Sequence, residues 1–467
     1  MKIKKTMALF MAAVLGTAAL TGCGGSAGEA EAPATEADAA GGTLEVEFWT
    51  APQQVQYAFW ESKAQAFNET NTQVNGQTVQ VKVQMMPESP SSEAGIQNAI
   101  ATGTAPAVSE NINRGFAATL AASDAVYDLS QESWFNEVVE ARQMGDTMDS
   151  WAINGGQYVF PVYVNPMVWQ WNMDALAVFG YSEAPTTVAD LQDIMSQWED
   201  KTEELAAVGV THSFYRPSLT RSDLYYDRWH DFMMPYDAIS QGKTIVEGST
   251  LTMDKESAVK AMEVIGTFGN TIQQGELSSI WTEGTPSVLV TINAPWEISL
   301  YQENNKVYGE DYIYGPALVE KEGDTPYCFA DSKGLTFYKT ENISEDEHQG
   351  AVEFVKWVYN AENSAQTDLE WTQATMMLPV RGDLNENETF AGIMSENPEL
   401  AALAQWVPYA MPGLASDKDA DIWTAFTEAA MAPYINETVG AKPGEAPDAT
   451  SYVEAGMEAM KSAGGLS

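Results

Sequence analysis

The pattern of hydrophobic and polar positions after residue 42 predicts alternating strands and helices. Residues 43–49 alternate apolar and polar side chains, as in a β-strand, and residues 55–67 follow with the spacing of an amphipathic helix. Residues 78–85 alternate again, with Val79, Val81 and Val83 on one face. A strand, a helix and a second strand in this order predict a parallel sheet covered by helices, and therefore the α/β class.

The N-terminal segment has a different pattern. Lysines at positions 2, 4 and 5 precede an apolar run over 7–20 that is too short to span a bilayer, and small residues lead to Cys23. We therefore expect residues 1–22 to be a signal peptide and the protein to be exported. The sequence Leu20-Thr21-Gly22-Cys23 resembles a bacterial lipobox, which implies an acylated Cys23 carrying palmitate. The alternative is an ordinary cleavage site with a chance cysteine.

The chain after Cys23 divides into a linker and a long folded part. Residues 24–42 contain Gly, Ala, Ser, Glu, Thr and Pro without a large apolar side chain, so we expect 23–42 to be the acylated cysteine and a flexible linker. The remaining chain is too long for one core, which predicts two lobes.

Charge and cysteine content exclude several classes of function. The formal net charge of −43 disfavours nucleic acid and anionic headgroups as partners, so contact with the membrane is expected through the lipid anchor only. If Cys23 is acylated, Cys328 has no disulfide partner, and we interpret it as a buried small side chain. The histidines, His212, His230 and His348, lack the spacing of a zinc site or a catalytic triad, so no metal or cofactor is expected.

Five segments in a fixed order resemble the family 1 extracellular solute-binding proteins of ABC importers, the maltose-binding-protein-like group. Two departures from the family pattern are Ala107, where Asp is usual, and Ala294, where Gly is common. The segments are Ala99 to Pro106 followed by 116–129, Tyr158 to Asn165 running on to Asp174, the helix start around Pro185 and Thr187, Val290 to Glu297, and 339–359 with Leu378-Pro379-Val380-Arg381.

The resemblance implies a two-lobed periplasmic-binding-protein-like fold, each lobe a mainly parallel sheet flanked by helices. It implies an N-terminal lobe of 43–163 and 334–376 and a C-terminal lobe of 164–328 and 380–467, with crossings near Pro161–Asn165, Tyr327–Gly334 and Met376–Pro379. An oligosaccharide would bind between the lobes, close them by hinge bending, and pass to the membrane permease. This implies a carbohydrate-binding monomer on the extracellular face of the cell membrane, without enzymatic activity.

Candidate ligand-binding residues come from strand ends and from aromatic content. Sugars need aromatic faces and planar hydrogen-bonding groups, and open α/β sheets bind ligands beyond their strand ends. The resemblance implies that Trp296 stacks on sugar, and it brings Glu297 and Arg381 into the candidate set. Tyr226 and Trp229 mix with charged residues in a way that suits the rim of a cleft. The polar candidates after strands are Gln53, Gln54, Asn111, Asn113, Arg114 and Asn165.

Two charged clusters have alternative interpretations. Arg216, Arg221 and Arg228 lie within 13 residues. We favour internal ion pairing for them over a site for a carboxylated sugar. Four acidic residues have the spacing of a calcium-binding loop, but Ile422 stands where such a loop needs glycine. We therefore favour the interpretation that they cap a helix that begins at Ile422. These acids are Asp417, Asp419, Asp421 and Glu428.

Two other functions remain open from the sequence. The first is a cell-surface glycoside hydrolase, because 66 acidic residues offer many carboxylate pairs, although no motif positions one. The second is the same fold binding a non-sugar solute such as a polyamine. The identity of the sugar and the permease partner cannot be predicted.

Overall fold

The computed structural model describes residues 42–87, 91–216, 219–224, 230–274 and 287–467, apart from the side chains of Asp146, Leu224, Ser287, Trp296 and Ser299. The signal peptide, Cys23 and the linker up to residue 41 lie outside the described residues. Residues 42–467 form one compact unit.

Strands and helices alternate through most of this unit. The strands are β1 Thr43–Thr50, β2 Gln73–Val74, β3 Gln77–Met85, β4 Val108–Ile112, β5 Phe160–Pro166, β6 Val168–Asn172, β7 Val210–Tyr215, β8 Val246–Glu247, β9 Thr250–Leu251, β10 Ile272–Gln273, β11 Ser287–Asn293, β12 Tyr312–Gly315, β13 Cys328–Phe337, β14 Leu378–Pro379 and β15 Ala410–Met411.

The α-helices are of very different lengths. They span Gln54–Asn68, Ser92–Thr102, Arg114–Ala122, Phe135–Ala141, Gly145–Trp151, Met173–Val178, Val188–Ser196, Thr202–Ala207, Met233–Ser240, Lys255–Gly266, Ile298–Glu303, Glu345–Tyr359, Ser364–Thr375, Glu388–Glu396, Pro398–Ala404, Asp419–Phe426, Ala432–Thr438 and Thr450–Gly464.

The first sheet confirms the opening predicted from the sequence. β1 pairs in parallel with β3, Leu44 opposite Val79 and Val46 opposite Val81, and the helix Gln54–Asn68 connects them. The strand order is β14-β5-β13-β4-β1-β3-β2, with β15 added beside β13. β13 runs antiparallel to both β4 and β5, so this sheet is mixed.

The second sheet has the order β10-β7-β11-β6-β12. β7 pairs in parallel with β10 and β11, whereas β6 is antiparallel to β11 and β12. The α/β two-lobed fold is therefore confirmed, and each sheet combines a parallel part with antiparallel strands.

Each sheet has its own hydrophobic core. The first core packs Phe48 of β1 against Trp60 and Phe354 from flanking helices. The second packs Trp169 of β6 against Phe214 and Phe268. Cys328 is buried, as the sequence suggested.

The chain passes between the two halves of the fold three times. It leaves the first sheet between β5 and β6, returns to it with β13, and moves from the first core to the second over 404–414. Between these passages Tyr301, Tyr312 and Tyr314 reach across and pack with the first core. The last passage differs from the predicted crossing near Met376–Pro379. β14 instead pairs with β5, and Phe390 and Leu403 still belong to the first core, whereas we expected residues from 380 onward in the C-terminal lobe.

Local capping signals explain several helix starts. Thr187 and Asp190 form a capping box before Val188–Ser196, and Ser344 and Glu347 form another before Glu345–Tyr359. Both helices lie where the sequence predicted them. Across the part of the chain that the structure describes, no helix combines the length and apolar character needed to cross a bilayer.

Candidate functional site

Strand ends of the first sheet meet where the chain passes toward the second core. β1 is parallel to β3 and β4, so all three end at the same edge of the sheet, and β5 and β13 extend that edge. Ligands of open α/β sheets bind beyond such ends. We call the polar side chains at this edge the floor cluster. Its members are Glu110, Asn111, Tyr163, Asn165, Asp331 and Lys333.

Glu110 is fully buried at the end of β4. Its carboxylate accepts hydrogen bonds from the Thr50 hydroxyl, the Ala51 backbone N–H and the Gln56 side-chain amide, each at 3.0 Å. Burial raises the pKa of Glu110 to about 7, against the opposing effect of these donors and of the nearby charge of Lys333. The group therefore holds the start of the helix Gln54–Asn68 against the end of β4.

Tyr163 links the floor cluster to the first core. Its ring is buried and stacks on Trp371, with centroids 5.4 Å apart, and its hydroxyl donates to Asn111 Oδ1 at 2.9 Å. Asn111 has a φ of 71°, a left-handed conformation that asparagine tolerates better than most residues. Asn111 is thus fixed by Tyr163 at the point where β4 ends.

Asn165 is the most unusual member of the floor cluster. It is fully buried, yet neither its amide nitrogen nor its oxygen has a hydrogen-bond partner among the described residues. An unpaired buried amide costs about 1–3 kcal/mol, so such groups are rare unless something else satisfies them. Asn165 lies opposite Asp331 in the β5–β13 pairing, and Tyr163 lies opposite Lys333.

Arg114 and Asn113 position the helix that follows β4. Asn113 caps the helix Arg114–Ala122 by accepting from the Phe116 N–H, and its amide donates to Glu93 at 3.2 Å. Arg114 donates to the carbonyls of Ala152 at 2.6 Å and Gly413 at 3.4 Å, and burial lowers its pKa to about 10. Because Gly413 belongs to the third passage between the cores, Arg114 ties the helix Arg114–Ala122 to that passage.

A polar crevice of about 290 Å³ opens beside this helix. Glu93 and Asn113 line it on one side, and Asp417 and Asp421 on the other. The helix predicted to begin at Ile422 begins at Asp419, and Asp419 and Asp421 occupy its first turn, as expected for acids at a helix N-terminus. Within the described residues, no group of three or more His, Cys, Asp or Glu side chains is arranged to hold a metal ion.

The second sheet supports the segment 293–297 with a buried polar group. The Asn293 amide donates to Gln170 Oε1 and to the Tyr301 hydroxyl, and Asn293 Oδ1 accepts from the Ala294 N–H at 2.8 Å. The following turn, Pro295–Glu297, carries Trp296, whose side chain lies outside those described. Burial raises the pKa of Glu297.

The structure brings only some of the predicted residues together. Asn111 and Asn165 are in the floor cluster, Asn113 and Arg114 directly follow it, and Gln53 and Gln54 are exposed at the start of the helix Gln54–Asn68. Tyr226, Trp229 and Arg228 lie outside the described residues. The expected ion pairing is confirmed for Arg216 with Asp231 and for Arg221 with Asp223.

Arg381 lies inside the first core. Its guanidinium pairs with Asp383 at 2.7 Å and Asp368 at 3.0 Å, and the residue is only 5% exposed. The ion pairs use the donors that a ligand would need. The segment Leu378-Pro379-Val380-Arg381 is therefore explained by its packing in the first core, directly after the helix Ser364–Thr375.

Sequence reasoning missed Glu110, Asp331 and Lys333. Each interrupts a strand that is otherwise buried, and Asp331 and Lys333 are two positions apart in β13, so they share a face. A charged residue inside an apolar strand was the available signal, because such a residue needs a partner or a ligand.

Two α/β cores, joined by three chain passages and with polar strand ends at the junction, define the two-lobed class of periplasmic-binding-protein-like folds. Residues 63–402 match the family described as bacterial extracellular solute-binding protein, and the chain belongs to this family. A search of curated proteins finds no match.

Solved structures share this architecture. The uncharacterized protein lmo0859 from Listeria monocytogenes EGD-e is 32% identical, with 90% of this chain and 99% of that chain covered and a TM-score of 0.77. The cyclic alpha-maltosyl-1,6-maltose binding protein from Arthrobacter globiformis is 14% identical over 90% and 99% of the chains, with a TM-score of 0.67. The maltose/maltodextrin-binding domain MalE from Bdellovibrio bacteriovorus, bound to maltotriose, is 14% identical over 90% and 99%, with a TM-score of 0.57.

Proposed function

We propose that this protein is a lipid-anchored extracellular receptor that binds an oligosaccharide and delivers it to the permease of an ABC transporter. The observation that carries the proposal is the floor cluster, above all Asn165, whose buried amide has no partner among the described residues. A ligand that brings several hydroxyl groups would satisfy that amide, since each hydroxyl both donates and accepts.

The relatives support carbohydrate as the ligand class. The Arthrobacter and Bdellovibrio proteins are described with cyclic alpha-maltosyl-1,6-maltose and maltotriose, and both have this fold. The turn Pro295–Glu297 stands where the resemblance implies a stacking tryptophan. Sugar rings offer C–H patches to aromatic faces and hydroxyls to planar polar groups, the two kinds of group that Trp296 and the floor cluster would supply.

Delivery would use closure of the two lobes. The chain passes between the cores at three places, so bending there changes the distance between the floor cluster and the segment 293–297. Ligand contacts available from both sides favour the closed state. Binding of this kind needs no chemical step, and the protein is proposed to have no enzymatic activity.

Anchoring would come from the N-terminus. The proposed signal peptide over 1–22 places Cys23 at the processed end, where acylation would tether the chain, and 24–42 would act as the spacer. Mass spectrometry of the processed protein tests this, because an unmodified N-terminus at another residue would exclude the anchor.

The test of binding uses residues 42–467, which form one compact unit. Thermal shift and then calorimetry would be measured with maltotriose, cyclic alpha-maltosyl-1,6-maltose, trigalacturonate and spermidine. We expect selective stabilisation by a neutral oligosaccharide, lost in Trp296→Ala and retained in Tyr452→Ala, an aromatic substitution on the helix Thr450–Gly464. Binding of spermidine alone would support the polyamine alternative, and cleavage of an oligosaccharide would support a hydrolase.

A further inference from the structure

Asp331 and Lys333 occupy neighbouring positions on one face of β13. They lie opposite Asn165 and Tyr163 of β5, and directly opposed residues of antiparallel strands have Cβ atoms about 4.5–5.5 Å apart. The carboxylate and the ammonium group therefore lie beside the buried amide of Asn165. Asp331 also borders a small cavity with Asn113, Arg114 and Gly413, near the third passage.

Neither charged group has a partner in the protein as far as the structure describes it. Asp331 and Lys333 are half-buried, and neither makes a side-chain hydrogen bond or an ion pair with a described residue. The charge of Lys333 acts on Glu110, whose oxygens already accept from Thr50, Ala51 and Gln56. Both groups have access to solvent, so a ligand that binds here replaces water on a carboxylate and an ammonium group that the described residues leave unpaired.

The three side chains present a complementary set of hydrogen-bonding atoms. Residues two apart in a strand are about 6.7 Å apart along the chain, a spacing comparable to one edge of a sugar ring with its hydroxyls. One hydroxyl of a vicinal pair would donate to Asp331, and its neighbour would accept from Lys333. The Asn165 amide, which offers both donors and an acceptor, is placed to take a third group.

The local charge balance restricts the ligand further. Asp331 and Lys333 carry opposite charges and lie two positions apart on one face of β13. A carboxylated sugar would bring a negative charge beside Asp331, and a polyamine would bring a positive charge beside Lys333. A neutral polyhydroxylated ring adds no charge and pairs with both groups.

We propose that Asn165, Asp331 and Lys333 form a subsite that holds vicinal hydroxyls of a neutral sugar and discriminates against carboxylated sugars and polyamines. This rests on the proposed carbohydrate-binding function and assigns the selectivity for the sugar to residues of β5 and β13, at the first and second passages. Nothing in the motifs of the chain marks Asp331 or Lys333 for this role.

The test compares Asp331→Asn and Lys333→Met with a matched pair, Asp124→Asn and Lys339→Met. Asp124 and Lys339 pair with each other on the surface, just beyond the end of β13 at Phe337. Calorimetry with maltotriose and cyclic alpha-maltosyl-1,6-maltose should show a loss of affinity of about 10- to 100-fold in each subsite variant, as expected for one hydrogen bond to a charged group. The control pair should leave affinity unchanged.

Melting temperatures without ligand provide a second readout. Because Asp331 and Lys333 contact no described partner, both variants should melt within about 1 °C of the parent protein. A drop of several degrees in Lys333→Met would show that Lys333 stabilises Glu110 structurally, and the subsite would be rejected.

The outcomes separate the subsite from the proposed function. If a neutral sugar binds the parent protein and both subsite variants equally, the subsite is wrong and the receptor function stands. If trigalacturonate binds preferentially and Lys333→Met abolishes it, Lys333 is a carboxylate site and neutral selectivity is wrong. If none of the sugars binds the parent protein, the carbohydrate function itself is overturned.

Discussion

Removal of Arg142 should unfold the first core at markedly lower temperature. Arg142 has no exposed surface, and its Nε and Nη2 atoms donate to the two oxygens of Asp368, each at 2.9 Å. It also donates to the backbone carbonyls of Pro161 and Val162, which lead into the first passage between the cores. Arg142 thus fixes a segment of β5 by charge-assisted hydrogen bonds.

The magnitude follows from which groups lose their partners. Breaking a buried ion pair typically costs about 3–5 kcal/mol, because the remaining charge is left uncompensated. In Arg142→Met, Asp368 keeps Arg381 at 3.0 Å, so we expect the lower end, about 3 kcal/mol. In Asp368→Ala, Arg142 loses its only carboxylate among the described residues, so we expect the upper end, about 5 kcal/mol.

Thermal and urea unfolding of residues 42–467 would measure both variants. Each kcal/mol shifts the midpoint by about 2–4 °C in a cooperative unit of 150–250 residues, so Arg142→Met should lower it by about 6–12 °C. The control is Lys82→Met, which removes a surface pair with Glu45 whose side chains are 54% and 59% exposed and should change stability by less than about 1 kcal/mol. Equal shifts in Arg142→Met and Lys82→Met, or a smaller shift in Asp368→Ala than in Arg142→Met, would refute the reasoning.

Three further changes have defined directions. Asp237→Asn should stabilise the fold increasingly as pH rises. Burial raises the pKa of Asp237 well above its usual value, so the contribution of this residue to wild-type stability is fully present below about pH 4. That contribution is lost as pH rises toward the folded-state pKa, at about 1.4 kcal/mol per unit of pKa difference between the folded and unfolded states. Unfolding curves at pH 4 and pH 8 check this, and an equal gain at both would contradict it. Gly334→Ala should cost about 1–3 kcal/mol in urea unfolding, since its Cβ would lie 2.1 Å from the carbonyl oxygen of Phe160; an unchanged midpoint would show that β13 can shift there. Tyr163→Phe should cost about 1 kcal/mol in the same assay, because the hydroxyl bond to Asn111 is lost while the stack on Trp371 remains, and a loss several times larger would mean that the stack had also been disturbed.

The fold could be predicted where local patterns and topology agree. The parallel pairing of β1 with β3 was predicted from the alternation over 43–49 and 78–85 and the helical spacing between them. A strand period of two and a helix period of 3.6 can be distinguished within a few turns. The helix start at Thr187, expected from the family resemblance, is a capping box, a signal that is complete within four residues. Each signal lies within the segment it specifies.

Long-range polar contacts could not be predicted in this way. Arg142 and Asp368 are 226 positions apart, and Arg381 joins the same carboxylate. Asp383 is near Arg381 in the sequence, but it does not show that the guanidinium is also held by Asp368 inside the first core. The error in the third passage has a related cause. Residues 378–379 look like a strand leading away from the first core, yet pairing with β5 keeps them in the first sheet, and pairing partners are not written in the strand itself.

The floor cluster lies between these two cases. Strand alternation places Asp331 and Lys333 on one face of β13. Whether a helix covers that face or it is open to the junction depends on β5. This strand pairs with β13 in antiparallel register and brings Asn165 opposite Asp331. Once that register is fixed, the buried amide of Asn165 lies beside Asp331 and Lys333 without a hydrogen-bond partner among the described residues. This juxtaposition is a property of the topology, so no local pattern in β5 or β13 predicts it, and in the proposed receptor it is the capacity that a polar ligand would satisfy.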